Sequence, residues 1–309
     1  MAHIYVYSPS GAVRDRAAFR RGVKRLEALG HNVEIDPAAL DTWQRFAGDD
    51  ATRLAAIGRA AASGADVALI TRGGYGITRL LPHLPYKQIT KAIDKGTRFT
   101  GFSDFTALQL ALLAQTGATT WAGPALCEGF GTNDPEGPDE ITLACFDDMV
   151  DRAGEGTGWR ITPTLAKLIP EGMLAHHATL WGGNLAVLLS LLGTPYFPQI
   201  TDGVLFLEDV GEHPYRIERM LAQLLQAGVL AQQKAIVLGQ FTEYTLTPHD
   251  KGYNFTRVVD WLRSQVTIPV LTGLPFGHVP TKVLLPVGKK VDFLLENRDA
   301  YLLWGHDHH

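Results

Sequence analysis

Apolar positions in the first hundred or so residues switch between two periods. Residues 4–8 and 66–71 are short continuous apolar runs, the pattern of strands buried on both faces. Between them Phe19, Val23, Leu26 and Leu29 recur at helical spacing with arginines interleaved, and Gly30 closes the run. Residues 32–35 form a further short strand and residues 51–62 an alanine-rich helix. A strand over 97–101 then leads into an apolar helical run over 105–115. Repeated βα units predict a parallel, doubly wound, flavodoxin-like α/β sheet with helices on both faces. Ligands of such sheets sit at the loops after the strands. Two of these loops stand out here, Arg72-Gly73-Gly74-Tyr75-Gly76 and Gly101-Phe102-Ser103-Asp104-Phe105.

The pattern changes beyond residue 150. Residues 154–172 are rich in Gly, Pro and Thr and have no period. The expected organisation is an N-terminal α/β domain over 1–152, a linker over 153–172 and a C-terminal domain over 173–309. Helical spacing covers 184–192 and 216–227, the latter closed by Gly228. Strand-like runs cover 204–207, 235–238, 283–287, 291–295 and 301–304. A weaker run over 266–271 carries Pro269, which confines it to a sheet edge. Strands crowded near the end predict a mixed α+β domain with antiparallel, β-barrel-like pieces.

A length of 309 residues suits two cores. Net charge is −4, and the basic residues are scattered, so composition gives no footprint for nucleic acid. The longest largely apolar stretch, 185–192, is too short to span a bilayer. Residues 1–8 enter a strand directly without a leader-like pattern, and the expectation is a cytoplasmic protein. Two cysteines, Cys127 and Cys145, make no disulfide framework. The terminal His306-Asp307-His308-His309 is given no function.

A serine between a strand end and a helix start faces a cleft and is surrounded by backbone N–H groups that lack helical acceptors. Ser103 is therefore a candidate nucleophile, and the N–H of Asp104 a candidate oxyanion donor. The same local pattern also suits a helix N-cap, and Phe105 stands where G-x-S-x-G would place its second glycine. Gly74, in the glycine-rich loop, could supply a second oxyanion donor. That loop is not a dinucleotide fingerprint, because Arg79 occupies the last glycine position, and no P-loop is present. His278, between Pro275 and Pro280, is a candidate base. Glu208 follows a buried run and could orient a histidine, although spacing alone leaves Asp209 and Glu212 open. Metal readings are weaker. There is no H-E-x-x-H, and His176 and His177 on a regular strand would face opposite sides. Cys127 has no histidine near it in sequence.

Taken in order, these motifs resemble the murein tetrapeptide carboxypeptidases, or LD-carboxypeptidases, over nearly the full length. The residues that carry the resemblance are Ser8-Pro9-Ser10-Gly11, Arg72-Gly73-Gly74-Tyr75-Gly76 and Ser103-Asp104-Phe105-Thr106-Ala107. They continue with Leu180-Trp181-Gly182-Gly183-Asn184-Leu185, Leu207-Glu208-Asp209, residues 214–221 and Gly277-His278. The resemblance implies a Ser-His-Glu triad of Ser103, His278 and Glu208, with the serine in one domain and its partners in the other. It implies hydrolysis of the bond before the terminal D-alanine of a murein tetrapeptide, with no metal or cofactor, in a cytoplasmic homodimer that recycles peptidoglycan. The substrate ends in a carboxylate that needs a cation or an N–H cluster, and Arg72, Gly73 and Trp181 are the candidate substrate-binding residues. Two other readings share these residues. One is an immunity protein that hydrolyses microcin C-type peptidyl nucleotides, from which the motifs around Glu208 and Trp181 lean away. The other is a non-catalytic peptide-binding protein, in which Ser103 is only a cap.

Overall fold

The computed structural model describes residues 1–305, so the terminal His306-Asp307-His308-His309 lies outside the described residues. The chain divides into two compact units. The first comprises Met1–Gly154 with Gly193–Pro198 and Pro280–Gly288. The second comprises Glu155–Leu192, Gln199–Val279 and the chain from Lys289 onward.

In the first unit, β1 (His3–Tyr7), β2 (Asn32–Ile35), β3 (Val67–Ile70), β4 (Arg98–Gly101) and β5 (Thr120–Ala122) pair in parallel. Their spatial order, 2-1-3-4-5, is the flavodoxin-like one. A sixth strand, Leu285–Val287, lies antiparallel beside β5. The helices are α1 (Arg16–Ala28), α2 (Asp50–Ala62), α3 (Tyr86–Asp94), α4 (Thr106–Thr116) and α5 (Glu140–Asp151). Carboxylates start three of them: Asp15, Asp49 and Asp139 each accept first-turn N–H groups of α1, α2 and α5. Helix α4 is apolar all round, and its residues 106–113 are buried, as befits a helix enclosed by the core.

In the second unit, seven strands form one mixed sheet. They are β6 (Gly156–Arg160), β7 (Gly172–Asn184), β8 (Gly203–Val210), β9 (Gln233–Thr242), β10 (Val270–Thr272), β12 (Lys290–Glu296) and β13 (Asp299–Leu303), Leu285–Val287 of the other unit being β11. The order is β10-β9-β8-β7-β12-β13-β6. Strands β7 to β10 run parallel, and β12, β13 and β6 add antiparallel. The 13-residue β7 joins the halves, since its first part pairs with β12 and its last part with β8. The sheet curls until the indole N–H of Trp159, in edge strand β6, donates to the Thr272 carbonyl in edge strand β10 at 3.2 Å. This accounts for the barrel-like character expected of these strands. Helices α6 (Pro163–Ala166), α7 (Leu185–Ser190), α8 (Pro214–Gln226) and α9 (Phe255–Gln265) complete the unit.

Two expectations change. The stretch 153–172 is not a bare linker, because it holds β6 and α6, and β7 begins at its end. Trp159 buries its ring against Phe293, 5.9 Å away and stacked, which gives this glycine-rich segment a core anchor. The run over 283–287 belongs to the first unit's sheet rather than to a C-terminal domain.

Candidate active site

The turn after β4 has the predicted form. Gly101 ends the strand, residues Ser103–Phe105 make a single 3₁₀ turn, and α4 follows from Thr106. The cap positions are Phe102 for the short turn and Phe105 for α4, so Ser103 does not occupy the N-cap. Its backbone lies in the left-handed region, with φ +62°. A non-glycine residue held there costs about 1–2 kcal/mol and persists only where its surroundings enforce it. Gly73 comes right up to this serine. A Cβ added to Gly73 would stand 2.7 Å from Ser103 Cβ and 3.0 Å from its Oγ.

The side chain of Asp104 ties the neighbouring loops together. Its Oδ2 accepts from the Ser10 hydroxyl at 2.9 Å and from the Ile77 N–H at 3.0 Å, and Ser10 Oγ also contacts the Gly74 carbonyl. Burial pushes the Asp104 carboxyl upward against these hydrogen bonds. Arg53, fully buried, donates to the Gly76 carbonyl at 2.7 Å and sits over the Phe46 ring at 4.6 Å. The loops after β1, β3 and β4 are thus fixed to one another. Ser10 belongs to a motif visible in the sequence, but nothing marks Arg53, because an arginine in an alanine-rich helix reads as surface.

In the second unit Glu208 and Asp209 lie in the last residues of β8, and His278 lies in the chain after β10. Asn184 and Glu208 are register partners at the ends of β7 and β8. Glu208 is fully buried, and its Oε2 lies 2.9 Å from His278 Nδ1. Its Oε1 accepts from Asn184 Nδ2 at 3.1 Å, and the same amide nitrogen donates to Asp209 Oδ1 at 2.9 Å. The remaining bonds of Asp209 are structural, for its Oδ2 accepts the Ala186 N–H at 2.9 Å. Burial, and then the charge of Glu208, push the Asp209 carboxyl up to about 6. Glu212 pairs with Arg216 on α8. Of the three acids that spacing left open, Glu208 is the one that meets His278. A carboxylate on Nδ1 favours the tautomer that carries the ring proton there, which makes Nε2 the basic nitrogen.

Other candidates are placed differently. Trp181 is fully buried, and its indole N–H donates to Gln233 Oε1 at 2.8 Å, so it is a core side chain and not a surface for substrate. His176 and His177 do not lie on a regular strand. The pairing of β7 with β12 shifts register there, His177 has φ +47°, and Asp292 accepts both the His177 N–H at 2.7 Å and the His176 ring at 2.9 Å. No cluster of three or more His, Cys, Asp or Glu suited to a metal ion occurs among the described residues. The Cys127 thiol is pushed up to about 12, chiefly by burial, and would carry little thiolate near neutrality.

A histidine backed by a buried carboxylate is the proton-accepting half of hydrolases that acylate a side-chain nucleophile. The chain belongs to the LD-carboxypeptidase family: residues 4–123 match its N-terminal domain and residues 177–293 its C-terminal domain. A muramoyltetrapeptide carboxypeptidase from Oxalobacter formigenes matches with a TM-score of 0.86 at 37% identity, over 98% of this chain and 99% of that one. A Bacillus subtilis protein named "Probable murein peptide carboxypeptidase" is 30% identical over 86% of this chain and 80% of its own. The Microcin C7 self-immunity protein MccF of Escherichia coli is 28% identical over 74% of this chain and 71% of its own. No described helix is long and apolar enough to cross a membrane.

Proposed function

We propose that this protein is a serine-type LD-carboxypeptidase that releases the terminal D-alanine of murein tetrapeptides. The observation that carries the reading is the buried Glu208 on His278 Nδ1, in a chain 37% identical to a muramoyltetrapeptide carboxypeptidase. In this reading Ser103 Oγ attacks the carbonyl before D-alanine while His278 Nε2 takes its proton. Glu208 holds the ring and offsets its positive charge. The N–H groups of Asp104 and Gly74 receive the oxyanion, each worth about 3–4 kcal/mol in kcat. His278 then protonates the departing amine, and water, activated by the same ring, cleaves the acyl-enzyme. The strained backbone at Ser103 and the glycine against it support the nucleophile's role. A cytoplasmic homodimer working in peptidoglycan recycling is part of the same proposal.

The experiment is D-alanine release from free tetrapeptide by purified protein, beside its Ser103→Ala variant. Release by the wild type and none by the variant is expected. Equal release by both would end the serine mechanism, and binding of tetrapeptide without release by the wild type would favour a binding protein. The similarity to MccF supports a second reading, cleavage of a peptidyl nucleotide. Turnover of such a nucleotide with no D-alanine release would select it.

A further inference from the structure

A cavity of about 310 Å³ opens within the first unit, its charged lining being Arg14, Asp15, Arg21, Arg72 and Glu128. That volume is at the small end for ligand pockets. Its three guanidinium groups are not equivalent. Arg21 is engaged, donating to the Gly131 carbonyl at 2.9 Å and to the Thr132 carbonyl at 3.3 Å. Arg14 is exposed. Arg72 keeps only 15% of its side chain exposed, and its one ion pair is a long one, Nε to Glu128 Oε1 at 3.5 Å. Its Nη1 and Nη2 make no hydrogen bond within the described residues.

The Arg72 guanidinium also packs close to two glycines. A Cβ at Gly11 would stand 2.3 Å from Arg72 Nη1, and one at Gly74 2.7 Å from the same atom. The guanidinium lies against Gly74, and the next residue, Gly73, abuts Ser103. A half-buried fork with unused donors is the group that takes a carboxylate in bidentate fashion.

We propose that this cavity receives the free carboxylate of the departing D-amino acid, with Arg72 as its anchor and Glu128 as the group it displaces. The proposal rests on the carboxypeptidase reading and adds to it the means by which a chain end is told from an internal bond. The carboxylate of the substrate replaces a weak, part-exposed ion pair, so binding costs little reorganisation. The requirement for a free terminus then follows from an arginine left with spare donors when the terminus is blocked.

Binding is read by calorimetry on Ser103→Ala protein, with tetrapeptide and with the same peptide carrying a terminal D-alaninamide. The acid binds at least about 30-fold more tightly than the amide. Arg72→Met brings the acid down to the amide's affinity and leaves the amide unchanged, while Arg72→Lys falls between. Glu128→Gln tightens the acid a few-fold by removing the competing carboxylate. Thermal unfolding checks that each variant folds. Equal weakening of acid and amide by Arg72→Met and Arg72→Lys, or an amide that binds as well as the acid, overturns the pocket while wild-type release of D-alanine keeps the carboxypeptidase reading. Protein that neither binds tetrapeptide nor releases D-alanine overturns both.

Discussion

Glu208 Oε2 lies 2.9 Å from His278 Nδ1, and the glutamate making that contact has no exposed surface. A buried carboxylate is tolerable only where its oxygens are met, and here the second oxygen accepts from Asn184. Glu208→Gln keeps the shape but no longer fixes the ring proton on Nδ1. Once the proton shifts to Nε2, the lone pair that the proposed mechanism requires there is gone. The kcat for D-alanine release should fall by about 10³–10⁴-fold, with KM within a few-fold of wild type. Steady-state kinetics on variants with unchanged circular dichroism measure this, and a variant keeping more than a tenth of wild-type kcat would contradict the role of Glu208.

Ser103 combines its proposed chemistry with a backbone cost. At φ +62° a glycine is comfortable and a serine is not. Ser103→Gly should therefore abolish D-alanine release and raise stability by roughly 0.5–1 kcal/mol, the relief of strain partly offset by a more flexible unfolded chain. Ser103→Ala should abolish release without that gain. Urea unfolding of the three proteins tests the pair, and a Ser103→Gly protein no more stable than wild type would show that the turn stores no strain.

The alternation of strand and helix periods is enough to place β1 to β4 and α4, and with them the turn that carries Ser103. It does not place β11. An apolar run of three to five residues has the same signature in any sheet, and only packing beside β5 assigns Leu285–Val287 to the first unit. Helix α9 does carry a signal, because Val258, Val259 and Leu262 share one face and are buried, yet its half-buried aromatics and its charged positions blur the run. At the site, strand-end position suggests acids near 208, but Glu208, Asp209 and Glu212 are equivalent by spacing. Strand geometry separates them, since consecutive side chains leave β8 in different directions and only one meets His278. Trp181 misleads for the complementary reason. A tryptophan among glycines resembles a binding platform, and its burial against Gln233 is a tertiary fact.

Gly73 tests how closely the glycine-rich loop must approach the serine. Its φ is unremarkable, so alanine there is opposed by space alone: the new Cβ would stand 2.7 Å from Ser103 Cβ. Overpacking of this kind costs roughly 1–3 kcal/mol. Gly73→Ala should also reduce kcat/KM for tetrapeptide by about 100-fold or more, because small displacements of reacting groups are costly. Wild-type turnover with an alanine at 73 would show that the loop can retreat without moving Ser103.

Asp209 sets a pH dependence of stability whose sign is fixed. Its carboxyl is raised from the ordinary carboxylate range to about 6, by burial first and the Glu208 charge second. The folded chain thus holds a proton that the unfolded chain releases near pH 4. The associated stabilisation is complete below about pH 4 and is lost as pH rises through about 6. A rise of about two pH units corresponds to about 3 kcal/mol. Asp209→Asn removes this titration, at the expense of the bond that Oδ2 accepts from Ala186. The stability of the variant relative to wild type should therefore improve steadily between pH 4 and pH 7, from destabilised toward parity or better. Urea unfolding of both proteins at four or five pH values measures the difference directly. A difference that stays flat, or that worsens with rising pH, would mean that the N–H donors of Asn184, Ala186 and Val210 hold Asp209 ionised and that Asn184 joins two full negative charges behind His278.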